Sequence, residues 1–306
     1  MPNQKPKALH AIDAILEQAP WFKFNYSPLE QPNGLFLERA AIIISAQLAD
    51  SDQHFKFQLD TGAPVNLLYE ISATEQLPKE LPATENKLPS TLTLQFDGKF
   101  QTAVKFKILE NFGEYTDSSN NFPNIGTLGL DFFSNVAAGF GVDYKKQQIY
   151  CLSRKLLDSI SAHYPDNFLD YLDTYQKMKN KILLHFNIEG IEQLAIFDTG
   201  SSLFELVVPP DQWQKITGCN IDDSFVNKRI EGMAWGKPLT AFGVEVEKYI
   251  HFSMHLKRLR TIYTMVPSIS TLPVIGNALF FNDVIVLDLV NKKFGLFQDI
   301  RELIPA

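Results

Sequence analysis

Phe57-Gln58-Leu59-Asp60-Thr61-Gly62-Ala63 decides the reading of this chain of 306 residues, because its pattern returns in the second half as Ala195-Ile196-Phe197-Asp198-Thr199-Gly200-Ser201-Ser202. A single Asp-Thr-Gly is an ordinary turn. Two copies, each preceded by apolar residues that read as a buried strand and followed by another apolar run, form an internal repeat. A second pair of landmarks keeps the same order: Thr127-Leu128-Gly129-Leu130-Asp131-Phe132-Phe133 is answered by Val274-Ile275-Gly276-Asn277-Ala278-Leu279-Phe280-Phe281. Each glycine block leads into a hydrophobic strand, an aspartate and a lysine-bearing turn, at Val142 to Lys146 and at Leu287 to Lys293.

With these motifs in place, the chain resembles the two-lobed aspartic proteases of the pepsin/retropepsin superfamily over most of residues 36 to 300. The resemblance implies a mainly β, bilobal pepsin-like fold: two pseudo-symmetric β-barrel-like lobes, each giving one aspartate, Asp60 or Asp198, to a central cleft. It implies that Thr61 and Thr199 hydrogen-bond across the pseudo-dyad, and that Gly129 and Gly276 lie against the aspartate-bearing loops. Gly62, Gly200 and Ser201 belong to the same catalytic-loop support.

The residue types make chemical sense by themselves. Two carboxyl groups a few ångströms apart resist double ionisation, so one proton is shared over a useful pH range. Such a pair can take a proton from a water while polarising a scissile carbonyl. Glycine after threonine permits the tight turn that aims the carboxylate. Ser201 can donate a hydroxyl to Asp198, whereas Ala63 can give Asp60 nothing, so Asp198 is the expected ionised member. Pepsin-like enzymes carry a hydroxyl residue at both places and retropepsins an alanine, which implies an optimum above that of gastric-type enzymes.

The bulk properties agree. A 45% hydrophobic, 12% aromatic composition belongs to a globular protein with ample core. A net charge of -7 and a pI near 5.4 argue against nucleic-acid binding. Cys151 and Cys219 fall in different expected lobes without CxxC spacing and read as free thiols, which points to a reducing compartment. Residues 1 to 19 hold lysines and an amphipathic pattern through Leu9, Ile12, Ile15 and Leu16, with no secretory apolar core. No run reaches membrane-spanning length. The expectation is a monomeric cytoplasmic protein with no signal or pro-segment, no cofactor, no metal, and a peptide or protein substrate.

Taken in order, residues 1–35 read as a helix and strand extension, with a helix near Ala8 to Gln18 and alternation through Phe22, Phe24 and Tyr26. Residues 36–152 form the first catalytic lobe, with residues 70 to 90 showing no clear period and a hairpin turning at Asp97-Gly98. Residues 153–181 carry helical spacing through Leu156, Leu157, Ile160, Phe168, Leu169, Tyr171, Leu172 and Met178, broken at Pro165, and read as a helical inter-lobe connector. Residues 182–306 form the second lobe.

Other candidates read as structural. His251 and His255 share a strand face with no third ligand. Gly139-Phe140-Gly141 lacks the rest of a dinucleotide fingerprint, and no Gly-x-Ser-x-Gly elbow exists. Lys257-Arg258-Leu259-Arg260 reads as a solvated hairpin turn. Asp131, Asp143 and Asp288 read as caps or strand ends.

Two functions remain open: an active aspartic endopeptidase, and a peptide-binding or scaffold protein that keeps the fold without hydrolysis. The second persists because the Tyr-Gly flap of pepsin-like first lobes is missing from residues 70 to 90. In its place, 78 residues run from Asp198 to Gly276 against 69 from Asp60 to Gly129, nine more. These predict a covering hairpin from the second half, about Ile230 to Val246, with Trp235-Gly236-Lys237 near its tip and Trp235 and Gly236 against substrate.

Overall fold

The computed structural model describes residues 7–49, 52–78, 88–97, 100–115 and 123–298, with backbone only for 7–11. About half of the described residues are in strands, so the protein is mainly β, with a nearly closed barrel-like sheet among the three sheets that these residues form.

The first eight-stranded sheet is built on Phe36–Leu48 and His54–Leu59, paired antiparallel with Ile43 opposite Gln58. His54 and Lys56 face water while Phe55, Phe57 and Leu59 are buried, the period-two pattern of a half-buried strand. Past the Asp60 turn the chain returns as Leu67–Tyr69. Gly126–Leu128 lies between these two strands, parallel to the first and antiparallel to the second.

The second half repeats this connection by connection. Val274–Ile275 lies parallel to Ile191–Phe197 and antiparallel to Leu206–Val207. Leu67–Tyr69 continues parallel to Lys107–Leu109, and Leu206–Val207 parallel to His255–Val266. Met178–Ile188 also pairs with Lys237–Phe252, which curls the second sheet towards closure.

A six-stranded sheet joins the halves. Its centre pairs Gly139–Asp143 with Val284–Asp288, one strand from each half and both wholly buried. Strands covered on both faces read as unbroken apolar runs, which is why neither shows alternation. Helix Lys7–Leu16 and helix Arg154–His163 cover one face, placing Ile12, Leu16, Leu157 and Ile160 on Val284, Val286 and Phe297. Each such side chain contributes about 1.5–3 kcal/mol of burial.

Several expectations need correction. The helical connector ends at His163, after which Phe168–Asp170 pairs with Lys293–Phe297 and Leu172–Tyr175 with Met178–Ile188. Apolar spacing at Phe168, Leu169 and Leu172 serves an edge strand as well as a helix, and partners far along the chain decide between them. Within residues 70 to 90, Glu70–Gln76 is helical, and residues 79–87 lie outside the described ones.

The basic cluster is in the strand His255–Val266, with the turn at Ser253-Met254. Lys257 is buried there in an ion pair with Asp283 at 2.7 Å. His251 and His255 sit on opposite arms of that hairpin, and no metal-binding cluster exists among the described residues. Asp143 and Asp288 do end strands, each accepting main-chain N–H bonds from two following residues. Both cysteines are free, and no described helix is long and apolar enough to cross a membrane.

Gly139 tests the central joint. A Cβ there would collide with the Leu287 carbonyl oxygen, and backbone at the middle of a sheet has no room to yield. Gly139→Ala is expected to lower unfolding stability by about 1–3 kcal/mol, read as a lower urea midpoint at unchanged m-value.

Candidate active site

Asp60 and Asp198 leave their strands in the same way. The Asp60 N–H donates to Leu128 O at 3.1 Å and the Asp198 N–H to Ile275 O at 2.9 Å, the residues just before Gly129 and Gly276. Each loop then turns tightly, with the N–H groups of Ala63 and Ser201 donating to the carbonyls of Asp60 and Asp198, both at 3.1 Å. A Cβ on Gly129 would come within 2.6 Å of the Val65 and Ala63 carbonyl oxygens. One on Gly276 would strike those of Ser201 and Phe204. Both positions press main chain on main chain, which glycine alone allows.

The threonines interlock. Thr61 N–H donates to Thr199 Oγ1 at 2.8 Å, Thr199 N–H to Thr61 Oγ1 at 3.0 Å, and Thr61 Oγ1–H to Phe197 O at 3.2 Å. Both side chains are fully buried.

This lock brings the carboxyl groups together. A Cβ added to Gly200 would sit 2.7 Å from Asp60 Cγ and 3.0 Å from Asp198 Oδ1, so one point touches both groups. Asp198 accepts from Gly62 N–H at 3.2 Å, Gly200 N–H at 2.8 Å and the Ser201 hydroxyl at 3.2 Å. Asp60 accepts one main-chain bond, from Ala63 N–H at 3.0 Å. The expectation that Ala63 gives Asp60 nothing is thus corrected: its side chain offers no donor, but its main-chain N–H does. Burial pushes the Asp60 carboxyl well above its ordinary range; the neighbouring Asp198 adds to this, and the Ala63 amide and the Lys181 ammonium act against it.

Behind these groups stand residues to which the sequence reading gave no role. Lys181 Nζ donates to the Gly62 carbonyl. Asn277 Nδ2 donates to Thr199 O and Ser202 Oγ, both at 2.7 Å, and Tyr144 O–H donates to Asn277 Oδ1 at 2.6 Å. Asn66 Oδ1 accepts Gly129 N–H at 3.0 Å. The one available signal was Asn277 itself, an amide in an otherwise apolar block.

The aspartates open into a cleft of about 490 Å³. Tyr69, Phe112 and Glu114 of the first half and Met233, Trp235 and Ile269 of the second line it. Trp235 and Gly236 form the two-residue turn joining Lys228–Ala234 to Lys237–Phe252, both with positive φ, 52° and 74°. That backbone suits the twist of a hairpin. The Trp235 ring lies 6.4 Å from Phe112, which meets Tyr69 at 4.7 Å.

The equivalent hairpin of the first half, Thr91–Phe96 with Phe100–Lys105, goes elsewhere. Asp97 Oδ2 accepts the Lys23 N–H at 2.6 Å, and Phe96 and Phe100 pack on Phe22. Asp97 has the positive φ of a turn, while Gly98 lies outside the described residues.

No protein-family model matches this chain, and no curated protein matches it in sequence. The functional reading therefore rests on the site.

The Asp60 shift carries a signed consequence for stability. Its folded-state pKa lies above the ordinary 3.8, so the folded protein holds that proton more tightly than the unfolded chain does. The associated stabilisation is complete below pH 3.8 and is lost as pH rises through the folded value. Asp60→Asn is neutral at every pH and removes this loss. Its unfolding free energy relative to wild type should therefore rise between pH 4 and pH 7. Urea titrations at the two pH values measure it, and a constant difference would contradict the shift.

Proposed function

We propose that the protein is an aspartic endopeptidase of the pepsin/retropepsin kind, a single chain whose two lobes, 36–152 and 182–306, each supply one catalytic aspartate. The observation that carries this reading is the meeting of two Asp-Thr-Gly turns through reciprocal threonine hydrogen bonds, which puts two carboxyl groups side by side at the base of a cleft. Because both halves come from one chain, a monomer is sufficient. The free cysteines fit action in a reducing, cytoplasmic setting.

In the proposed reaction an extended peptide lies in the cleft with a water between the carboxyl groups. Asp198, with three donors on its carboxylate, carries the negative charge, and Asp60 carries the shared proton. Asp198 takes a proton from the water as its oxygen attacks the scissile carbonyl carbon, and Asp60 gives its proton to the carbonyl oxygen. The tetrahedral diol then collapses. The proton held by Asp198 passes to the amide nitrogen, the C–N bond breaks, and one hydroxyl proton returns to Asp60. No covalent intermediate forms.

Digestion of a mixed peptide library by wild type, Asp60→Asn and Asp198→Asn tests the reading. Each substitution removes one proton-transfer partner and should lower kcat/KM by at least about 10³-fold. Wild-type protein that binds library peptides and cleaves none across pH 3 to 8 would make this a binding protein instead.

The pH profile tests the assignment of charge. Ser201→Ala removes a donor from the ionised member and should move the acidic limb upward by about one pH unit, while Ala63→Ser should move it downward. Limbs that stay in place would assign the dyad's behaviour to burial and main-chain donors.

A further inference from the structure

We infer that Gln31 is a positioning residue, a latch that holds the hairpin of Lys228–Ala234 and Lys237–Phe252 over the two aspartates. The inference rests on reading the cleft as the peptide site. It begins with an anomaly of burial: Gln31 lies in an exposed turn, between exposed Glu30 and Pro32, yet is only 4% exposed. Its main chain is engaged within its own turn, since its N–H donates to Leu35 O at 2.8 Å and its carbonyl accepts Gly34 N–H at 2.9 Å. Its side chain reaches across the molecule. Nε2 donates to Glu231 O at 3.0 Å, and Oε1 accepts Glu231 N–H at 2.7 Å.

The register explains why Glu231 offers both groups. Ala234 pairs with Lys237 around the two-residue turn, so the next pairs alternate, and Glu231, opposite Thr240, directs its N–H and carbonyl away from its partner strand. Lys228–Ala234 ends the order of its sheet, so those groups stand on a sheet edge. The Gln31 carboxamide has the same donor and acceptor as a peptide group and takes the place of a neighbouring strand for one residue. Leu37, on the strand Phe36–Leu48 that follows the Gln31 turn, packs against the cluster of Ile230, Phe204 and Tyr263. Amide and apolar contacts thus fix the outer strand to the other half.

The covering hairpin is therefore held on three sides. Lys237–Phe252 pairs with His255–Val266 in its own sheet, Gln31 holds the outer edge, and Phe112 meets Trp235 and Gly236 at the tip. Of these, Gln31 alone is polar, directional and removable without touching the cleft lining.

The test compares Gln31→Ala with Gln31→Glu. Alanine leaves both Glu231 groups without their partner. Amide exchange across residues 228–237, followed by mass spectrometry, should accelerate roughly tenfold relative to wild type at pH 7.5 and pH 4.5, and kcat/KM should fall by about the same factor. Glutamate is the conditional rescue. Ionised at pH 7.5, it accepts from Glu231 N–H but cannot donate to Glu231 O; protonated at pH 4.5, it can do both.

Gln31→Glu should therefore resemble alanine at pH 7.5 and approach wild type at pH 4.5 in the exchange ratio. The Arg229–Glu231 pair beside it at 2.9 Å is present in every form and cancels in that ratio. Wild-type exchange in Gln31→Ala, or no acid recovery in Gln31→Glu, overturns the latch. If wild-type protein cleaves no peptide, the exchange measurement still decides the latch, and the failure belongs to the protease reading alone.

Discussion

The reciprocal hydrogen bonds between Thr61 and Thr199 are the constraint on which the site depends. Each threonine gives its hydroxyl oxygen to the other's main-chain N–H in a place that water does not reach. Removing either hydroxyl would strand a buried donor, at about 1–3 kcal/mol, and would free the loop that carries an aspartate. A β-branched residue suits the task because its χ1 is restricted, so the hydroxyl is aimed before the loops meet. Glycine follows in each loop for an equally local reason: a Cβ on Gly62 would lie 2.6 Å from the Asp198 carboxyl carbon.

The lock holds because the strands behind it are placed identically. In each half a short strand threads between the one entering and the one leaving the aspartate turn, and its carbonyl takes the aspartate's N–H. The glycine that follows lies directly on the loop. The six-stranded sheet then fixes the halves together through Gly139–Asp143 and Val284–Asp288, with main-chain hydrogen bonds and wholly buried side chains. Main-chain pairing sets the spacing of the two loops more rigidly than side chains alone.

The sequence was most legible where chemistry dictates residue types at close range. Asp-Thr-Gly and the apolar-apolar-Gly blocks are such places, and the structure brings them together. The Trp235-Gly236 tip was legible too, because nine additional residues and a turn dipeptide both pointed to it. The connector after His163 was not legible: Phe168 and Leu169 have helical spacing, but Gly295 and Phe294 pair with them from far along the chain. Lys257 sits in a charged run, yet strand alternation turns it inward to Asp283. Gln31, Phe112 and Lys181 act through contacts between distant segments, which local pattern does not encode.

The departures from two-fold repetition are concentrated at the site, and they have a common physical sense. Two identical carboxyl groups in identical surroundings would share charge and proton equally, whereas the proposed hydrolysis needs one base and one acid at the same moment. Three donors on Asp198 against one main-chain donor on Asp60 break that equality. Gly62 contributes to the imbalance from the opposite loop, since its N–H points at Asp198 while its carbonyl accepts from Lys181. The cover is unequal as well. The first-half hairpin is bound at Asp97 to Lys23 and buries its aromatic residues on Phe22, which leaves the cleft to Trp235. In the proposed hydrolysis, a cover from one half alone would approach the scissile bond from one side and so distinguish the two directions in which a peptide could lie across a nearly symmetric pair. On the proposed reading, the same inequality that separates acid from base would also supply a polarity for a bound peptide.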